Sequence, residues 1–431
     1  METIKIYDNP SRELWPSLTA RVAPDDNDIA AQVAEILAQV REGGDEALRG
    51  LVRRIDGVEL TTFEVPESRF DEAARTLPAA LRDAMATAKA HIEAFHRAQL
   101  PSPVEVETMP GVRCLQRAVP IRRVGLYVPG GRAPLFSTVL MLAVPARIAG
   151  CSEVVLCTPP RRDGTAAPEI LYAARLCGVQ RVFLLGGAQA IAAMAYGTQS
   201  VPRVDKIFGP GNRYVTRAKQ LVSVGDAAID LPAGPSEVLV MADRGASPEF
   251  VAADLLSQAE HGGDSRAMLV CDDRAFAQAV AQAVGEQAAM CSRGAIIRES
   301  LSGSGIVVLD DPDDRIDFAA DYAPEHLILA LRDPWPVAER IPTAGSVFIG
   351  DYSPESAGDY ASGTNHTLPT GGWGRVYSGV NTESFMRRIT YQELTRGGLE
   401  ALSPTIVSMA EAEGLDAHAR AVTIRLKGGV R

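Results

Sequence analysis

Cysteine and histidine are both scarce in this chain, six of each in 431 residues, and no two cysteines form a CxxC pair. That scarcity excludes a disulfide framework and a thiolate-built structural zinc site. The scattered cysteines (Cys114, Cys151, Cys157, Cys177, Cys271 and Cys291) read as reduced, buried thiols of a cytoplasmic protein. Each lies in or beside apolar sequence without an evident histidine partner, which argues against a thiolate nucleophile. Basic residues are outnumbered by acidic ones, 43 to 54, for a formal net charge of -11. Such a surface repels phosphate backbones, so no nucleic-acid partner is expected. Long hydrophobic runs are missing as well. The most apolar stretch, 138–148, is about half of the roughly 20 residues a membrane span needs, and it contains Arg147. Residues 1–20 carry Lys5, Asp8, Arg12 and Glu13 and lack the apolar centre of a secretory signal, so no membrane partner is expected.

What remains is 46% hydrophobic and 23% charged, the balance of a soluble globular protein long enough for two or three domains. Apolar residues recur at three- and four-residue spacing over 29–40 and 77–100, predicting helices; Pro101 and Pro103 stop the second. An extended stretch follows through Val112, Val119 and Ile121. From Val124 short apolar strands (125–128, 154–157, 182–185, 204–208) alternate with helical patterns (138–149, 168–177, 188–196, 212–222). A second series begins near Ser236. Its strands are expected at 237–241, 267–270, 305–309, 327–331 and 346–349, with helices at 248–260 and 273–290. Strands separated by helices imply parallel sheets covered on both faces, so the fold class is α/β with two such domains and a boundary near 232–235. The last fifty residues read as helix again, at 382–395, 399–411 and 416–426.

Three glycine-rich junctions follow strands of the first series: Val128-Pro-Gly-Gly131, Leu185-Gly-Gly187 and Phe208-Gly-Pro-Gly-Asn212. Each could open a helix N-terminus towards an anion, or be no more than a tight turn. None is G-x-G-x-x-G and there is no Walker sequence, so no dinucleotide fingerprint is present and no ribose-reading acid can be placed by motif. Gln189 and Asn212 sit just after two of these turns, where amides could meet ribose or base. Tyr127, ending its strand, could stack on a ring or simply pack.

Of the six histidines, His91 and His96 lie at i, i+5 and face different ways. Gln258 and His261 are spaced i, i+3 at a helix end above Gly262, a pair suited to a divalent metal or to a capping histidine. Asp359 and His366 occupy a polar, glycine-rich loop beyond a strand. Asp359 could complete a metal shell with His261 or be an ordinary loop carboxylate. Glu325 and His326 are adjacent, before an apolar strand. Neighbours on extended chain point apart, but near a strand end both can border one crevice and share proton transfer. His418, on the final helix with Glu413 nearby, carries no signal of its own.

These segments together resemble the histidinol dehydrogenase family over nearly the whole chain. The matching stretches are Val124-Gly-Leu-Tyr-Val-Pro-Gly-Gly131, Ala133-Pro-Leu-Phe-Ser-Thr-Val139, Gly186-Gly-Ala-Gln-Ala-Ile-Ala192, Asp205-Lys-Ile-Phe-Gly-Pro-Gly-Asn212 and Asp230-Leu-Pro-Ala-Gly-Pro-Ser-Glu237. Leu255-Leu-Ser-Gln-Ala-Glu-His261, Tyr322-Ala-Pro-Glu-His326 and Ser353-Pro-Glu-Ser-Ala-Gly-Asp-Tyr-Ala-Ser-Gly-Thr-Asn-His366 match too. The resemblance implies two NAD-dependent oxidations of L-histidinol, through L-histidinaldehyde to L-histidine, with one zinc ion per subunit and two NAD consumed. It implies Gln258, His261, Asp359 and His418 as zinc ligands that also touch substrate, and Glu325 and His326 as the acid–base pair, with Glu325 touching substrate as well. Ser236, His366 and Glu413 would contact substrate, and Tyr127, Gln189 and Asn212 would contact NAD. It further implies an intertwined homodimer in which His418 and Glu413 reach the opposite subunit's site. Two Rossmann-like parallel-sheet domains with small terminal segments are the expected architecture. Residues 1–25 form an extension; 26–131 and 236–380 make one domain carrying most zinc and catalytic residues, and 132–235 the NAD side. Residues 381–406 form a helical segment on the N-terminal extension, and 407–431 reach the partner. The rival readings are a related dehydrogenase acting on another small polar alcohol, and a zinc hydrolase using Glu325 to activate water. The hydrolase leaves the three glycine turns unexplained.

Overall fold

A computed structural model describes residues 4–21, 27–130, 134–231 and 234–428. Gly131, which ends the first glycine junction, and Pro232, at the expected domain boundary, lie outside the described residues.

The chain opens with β1 (Lys5–Asp8) and the short α1 (Trp15–Thr19), then α2 (Asn27–Ile55), α3 (Glu67–Thr76) and α4 (Ala79–Ala98). At Gly44 (φ 52°, ψ -132°) α2 breaks into two helical pieces; the left-handed φ requires glycine. A hairpin follows, β2 (Val104–Met109) and β3 (Val112–Pro120).

Next comes a run of nine elements: β4 (Arg123–Tyr127), α5 (Phe136–Ala149), β5 (Glu153–Thr158), α6 (Pro168–Leu176), β6 (Arg181–Leu184), α7 (Gly187–Tyr196), β7 (Lys206–Phe208), α8 (Arg213–Val222) and β8 (Ala228–Ile229). Its strands form a parallel sheet in the order β6-β5-β4-β7-β8. The order reverses between β4 and β7, which makes their carboxyl ends a topological switch point. One face is covered by α2, α7 and α8, and the other by α3, α4, α5 and α6.

The second series is β9 (Glu237–Ala242), α9 (Pro248–Ala259), β10 (Arg266–Cys271), α10 (Arg274–Ala288), α11 (Gly294–Ser302), β11 (Gly305–Val308), α12 (Pro312–Tyr322), β12 (His326–Ala330), α13 (Trp335–Ala338), β13 (Ser346–Ile349) and α14 (Glu355–Tyr360). With β1 these strands make a six-stranded parallel sheet, β1-β11-β10-β9-β12-β13. Every residue of β9 and β12 is buried, as expected of strands covered on both faces. The chain ends in β14 (Met386–Leu394), α15 (Arg396–Ala412) and α16 (Asp416–Lys427), the last two packed as a hairpin.

Two expectations need correction. Residues 26–131 do not join 236–380: β4 lies in the five-stranded sheet, and α2, α3 and α4 bury their apolar stripes in its two cores. The helix expected at 382–395 is a 3-10 turn followed by β14, which pairs antiparallel with β3 from Met386–Pro120 to Leu394–Val112. Spaced apolar residues there satisfied a helical pattern, but cross-strand pairing decides the outcome. Among the described residues of the N-terminal extension, β1 pairs with β11 and α1 packs on α12.

Candidate functional site

The amino ends of β9 and β12 lie side by side, in register from Val238–His326 onward. This is the end opposite to the one where open α/β sheets usually bind ligands. Ala323, in the left-handed conformation (φ 47°), caps α12, and the chain turns through Pro324 into the strand. Glu325 and His326 are therefore presented at a strand entrance, 5% and 4% exposed. Their side chains do share one crevice: His326 Nδ1 lies 3.8 Å from Glu325 Oε2.

A single residue across the ladder holds both. The Glu237 N–H donates to Glu325 Oε2 (3.0 Å), and His326 Nδ1 lies 3.3 Å from the Glu237 carbonyl oxygen. A carbonyl only accepts, so Nδ1 carries the proton and Nε2 keeps its lone pair. Nε2 is buried without a hydrogen-bond partner among the described residues, 3.8 Å from Asp359 Oδ1. Burial pushes the His326 pKa down to about 3, aided by His261 and His366 and opposed by the Glu237 carbonyl, so the imidazole is a neutral base at physiological pH. Burial drives Glu325 well above the ordinary carboxylate range; the Glu237 N–H opposes this, while the charges of Glu237, Glu355 and Asp359 reinforce it.

Beside this pair lies a cluster of metal-type donors. Ligand atoms of His261, Glu355 and Asp359 all fall within 4.8 Å of one another. Gln258, in the last turn of α9, is fully buried, yet neither its Oε1 nor its Nε2 has a partner among the described residues; Glu355 Oε2 is orphaned as well. Each such atom costs roughly 1–3 kcal/mol when left unsatisfied. Imidazole, carboxylate and amide oxygen donors together fit a borderline divalent cation such as zinc. Burial raises Asp359 to about 6, opposed by His261, a bias that bound positive charge would reverse.

The loop after Asp359 links this cluster to the other sheet. His366 Nδ1 lies 3.0 Å from the Asp359 carbonyl, and its Nε2 lies 3.3 Å from Thr138 Oγ1 in the first turn of α5. Ser236 sits half-buried directly before β9. Glu413 and His418 are not in the cluster; they stand exposed on the α15–α16 hairpin.

Tyr127, Gln189 and Asn212 gather at the carboxyl edge of the five-stranded sheet. The Tyr127 hydroxyl accepts from the Gly187 N–H (3.1 Å), and Gln189 is buried in the first turn of α7. Asn212 is the N-cap of α8, its Oδ1 accepting from Tyr214 and Val215 (3.1 Å each), so part of its role is structural. A side chain at Gly209 (φ 124°) would collide with the Tyr127 carbonyl, so this turn demands glycine. Thr158 Oγ1, buried at the end of β5 beneath Gly130, has no partner among the described residues. An unpaired hydroxyl beside tight glycine turns and a helix N-terminus whose N-cap, Gly186, has no side chain fits a phosphate-bearing ligand.

Glu355 and Glu237 escaped the sequence reading. Glu355 had a signal, its i, i+4 spacing to Asp359 on α14; Glu237 had none, since it acts through its backbone.

Residues 19–426 match the family model described as histidinol dehydrogenase. The chain belongs to this family. It is 52% identical over 424 residues to the histidinol dehydrogenase of Bacteroides fragilis, covering 98% of this chain and 99% of that one. It is 57% identical over 395 residues to that of Xylella fastidiosa, covering 91% and 92%. The crystal structure of histidinol dehydrogenase from Elizabethkingia anophelis superposes with a TM-score of 0.96 at 46% identity, covering 98% of each chain. Among the described residues, no helix is long and apolar enough to cross a membrane.

Proposed function

We propose that the chain oxidises L-histidinol to L-histidine in two successive two-electron steps, through the bound aldehyde, with NAD as acceptor. The observation that carries this reading is the convergence of a neutral imidazole base, a proton-holding carboxyl group and an unsatisfied donor cluster at one pair of strand entrances. The zinc site would be made by Gln258, His261 and Asp359, with His418 supplied by a second copy of the chain. Bound there, the ion supplies a chelating anchor for the substrate's amine and imidazole, fixing the reacting carbon. The dinucleotide, bound along Tyr127, Gln189 and Asn212, supplies the two-electron acceptor for each oxidation.

The chain's own residues move the protons. His326 Nε2 takes the hydroxyl proton as the alcohol carbon is oxidised to the aldehyde. Glu325 takes a proton from water as its oxygen bonds to the aldehyde carbon, and His326 returns its proton to the aldehyde oxygen, so the hydrate forms beside a neutral imidazole. His326 then takes a hydroxyl proton of the hydrate as the second electron pair leaves, giving the carboxylic acid. Positive charge entering with the substrate lowers the raised Glu325 pKa, preparing it to act as a base. His366, Ser236 and, from the second copy, Glu413 would line the substrate.

A homodimer is favoured by two features. His418 and Glu413 are exposed on their own chain, and the three-stranded sheet of β14, β3 and β2 leaves Val104, Val106 and Tyr391 exposed. All six cysteines are free, as in a reducing cytoplasm.

The test is NADH absorbance on adding histidinol to zinc-loaded protein, with and without a chelator. Two NADH per histidinol, lost on chelation, is the expected result. No NADH from zinc-loaded protein overturns the proposal.

A further inference from the structure

We propose that Asp56 reads the adenosine ribose of the dinucleotide and so selects NAD over NADP. This rests on the reading of the five-stranded sheet as the dinucleotide side. No acid could be placed by motif because the residue comes from outside the strand–turn–helix unit. Asp56 directly follows α2, its N–H bonded to Val52 O (2.9 Å), and α2 shares a core with α7.

The Asp56 side chain is aimed at the glycine turn before α7. The Gln189 side-chain N–H donates to Asp56 Oδ2 (3.2 Å), and Gln189 is only 1% exposed, so the carboxylate is held rather than free. Gln189 shares the first turn of α7 with Gly187, whose N–H meets the Tyr127 hydroxyl. Asp56 therefore lies one side chain away from a helix N-terminus whose N-cap, Gly186, supplies no side chain, the kind of place where a pyrophosphate is bound. In a nucleotide the ribose diol follows directly after the phosphate.

Apart from the Gln189 amide, no described residue claims this carboxylate. Among the described residues no Lys, Arg or His forms an ion pair with Asp56, and its Oδ1 accepts no hydrogen bond. Half-buried without a cation, it is short of donors. A vicinal diol supplies two O–H donors to one carboxylate. A 2′-phosphate supplies none and brings like charge into the same space. The orphaned Thr158 Oγ1, at the same sheet edge, is a second polar group awaiting a partner.

Asp56→Asn and Asp56→Ala, each checked for folding by circular dichroism, are compared with wild type. NAD+ and NADP+ binding is measured by calorimetry, and turnover with each dinucleotide by absorbance. Loss of a charge-assisted hydrogen bond should weaken NAD+ binding about tenfold, and the preference for NAD+ over NADP+ should shrink by at least that factor. Unchanged discrimination in both folded variants overturns the assignment. Wild-type protein that binds neither dinucleotide overturns the reading of the sheet itself, and the assignment with it.

Discussion

Replacing Arg21 by Met should injure stability and catalysis together, although Arg21 touches neither Glu325 nor His326. Its guanidinium forks onto Glu237, Nε to Oε2 at 2.8 Å and Nη2 to Oε1 at 2.9 Å. It also donates to Tyr322 O (2.6 Å) and lies 3.8 Å above the Tyr322 ring. Glu237 is 2% exposed, so removing Arg21 leaves a nearly unsolvated negative charge. Breaking a buried pair from one side costs about 3–5 kcal/mol. The Arg21 side chain is 21% exposed, and the Gly371 N–H still donates to Glu237 Oε1, so the lower end, about 3 kcal/mol, is expected. Relaxation of Glu237 should also displace the N–H and carbonyl that hold Glu325 and His326. A shift of about 1 Å there costs roughly a hundredfold in kcat, with little change in the KM for histidinol. Urea denaturation and steady-state kinetics read the two effects. Adding Glu237→Gln to Arg21→Met removes the stranded charge and should recover part of the stability. An Arg21→Met variant within about 0.5 kcal/mol of wild type, the scale of an ordinary surface change, with full kcat, refutes the reasoning.

Glu325→Gln should spare oxidation of the alcohol yet depress oxidation of added aldehyde, while His326→Asn depresses both; equal loss of both steps in Glu325→Gln contradicts the division of labour. Mixing inactive His418→Asn protein with inactive His261→Asn protein should restore some activity through hybrid dimers, and no recovery despite verified subunit exchange counts against a shared site. Burial raises Asp254 from 3.8 to about 7, so the folded chain keeps a proton that the unfolded chain releases. Its contribution to stability is present below about pH 4 and lost as pH rises through 7. Asp254→Asn should therefore raise the thermal midpoint at pH 8 relative to wild type and leave it nearly unchanged at pH 4.5; an identical pH slope in both proteins rejects this.

Much of the architecture was legible because buried parallel strands and amphipathic helices write their periods into the sequence. The strands at 125–128 and 327–331, and the helix at 77–100, reappear in β4, β12 and α4 within a few residues. What escaped is long-range by nature. β14 is mostly exposed, so its residues carry no buried period, and β3 supplies the order from far away in sequence. The side of the chain on which α2 packs was not readable from spacing either, which misassigned 26–131. At the site, Glu325 and His326 were legible as neighbours at a strand entrance, whereas Glu237 was not, because a main-chain contact leaves no mark on residue type. Proton positions were beyond reach too: the Nδ1–H tautomer follows only from the facing carbonyl.

One peptide donor and one peptide acceptor of the same residue, Glu237, grip two consecutive side chains across the ladder. The proposed acid and base would therefore move in common mode: a displacement of β9 would carry both and leave their separation nearly constant. Thermal motion would then change the reach of the pair towards the substrate far more than its internal geometry.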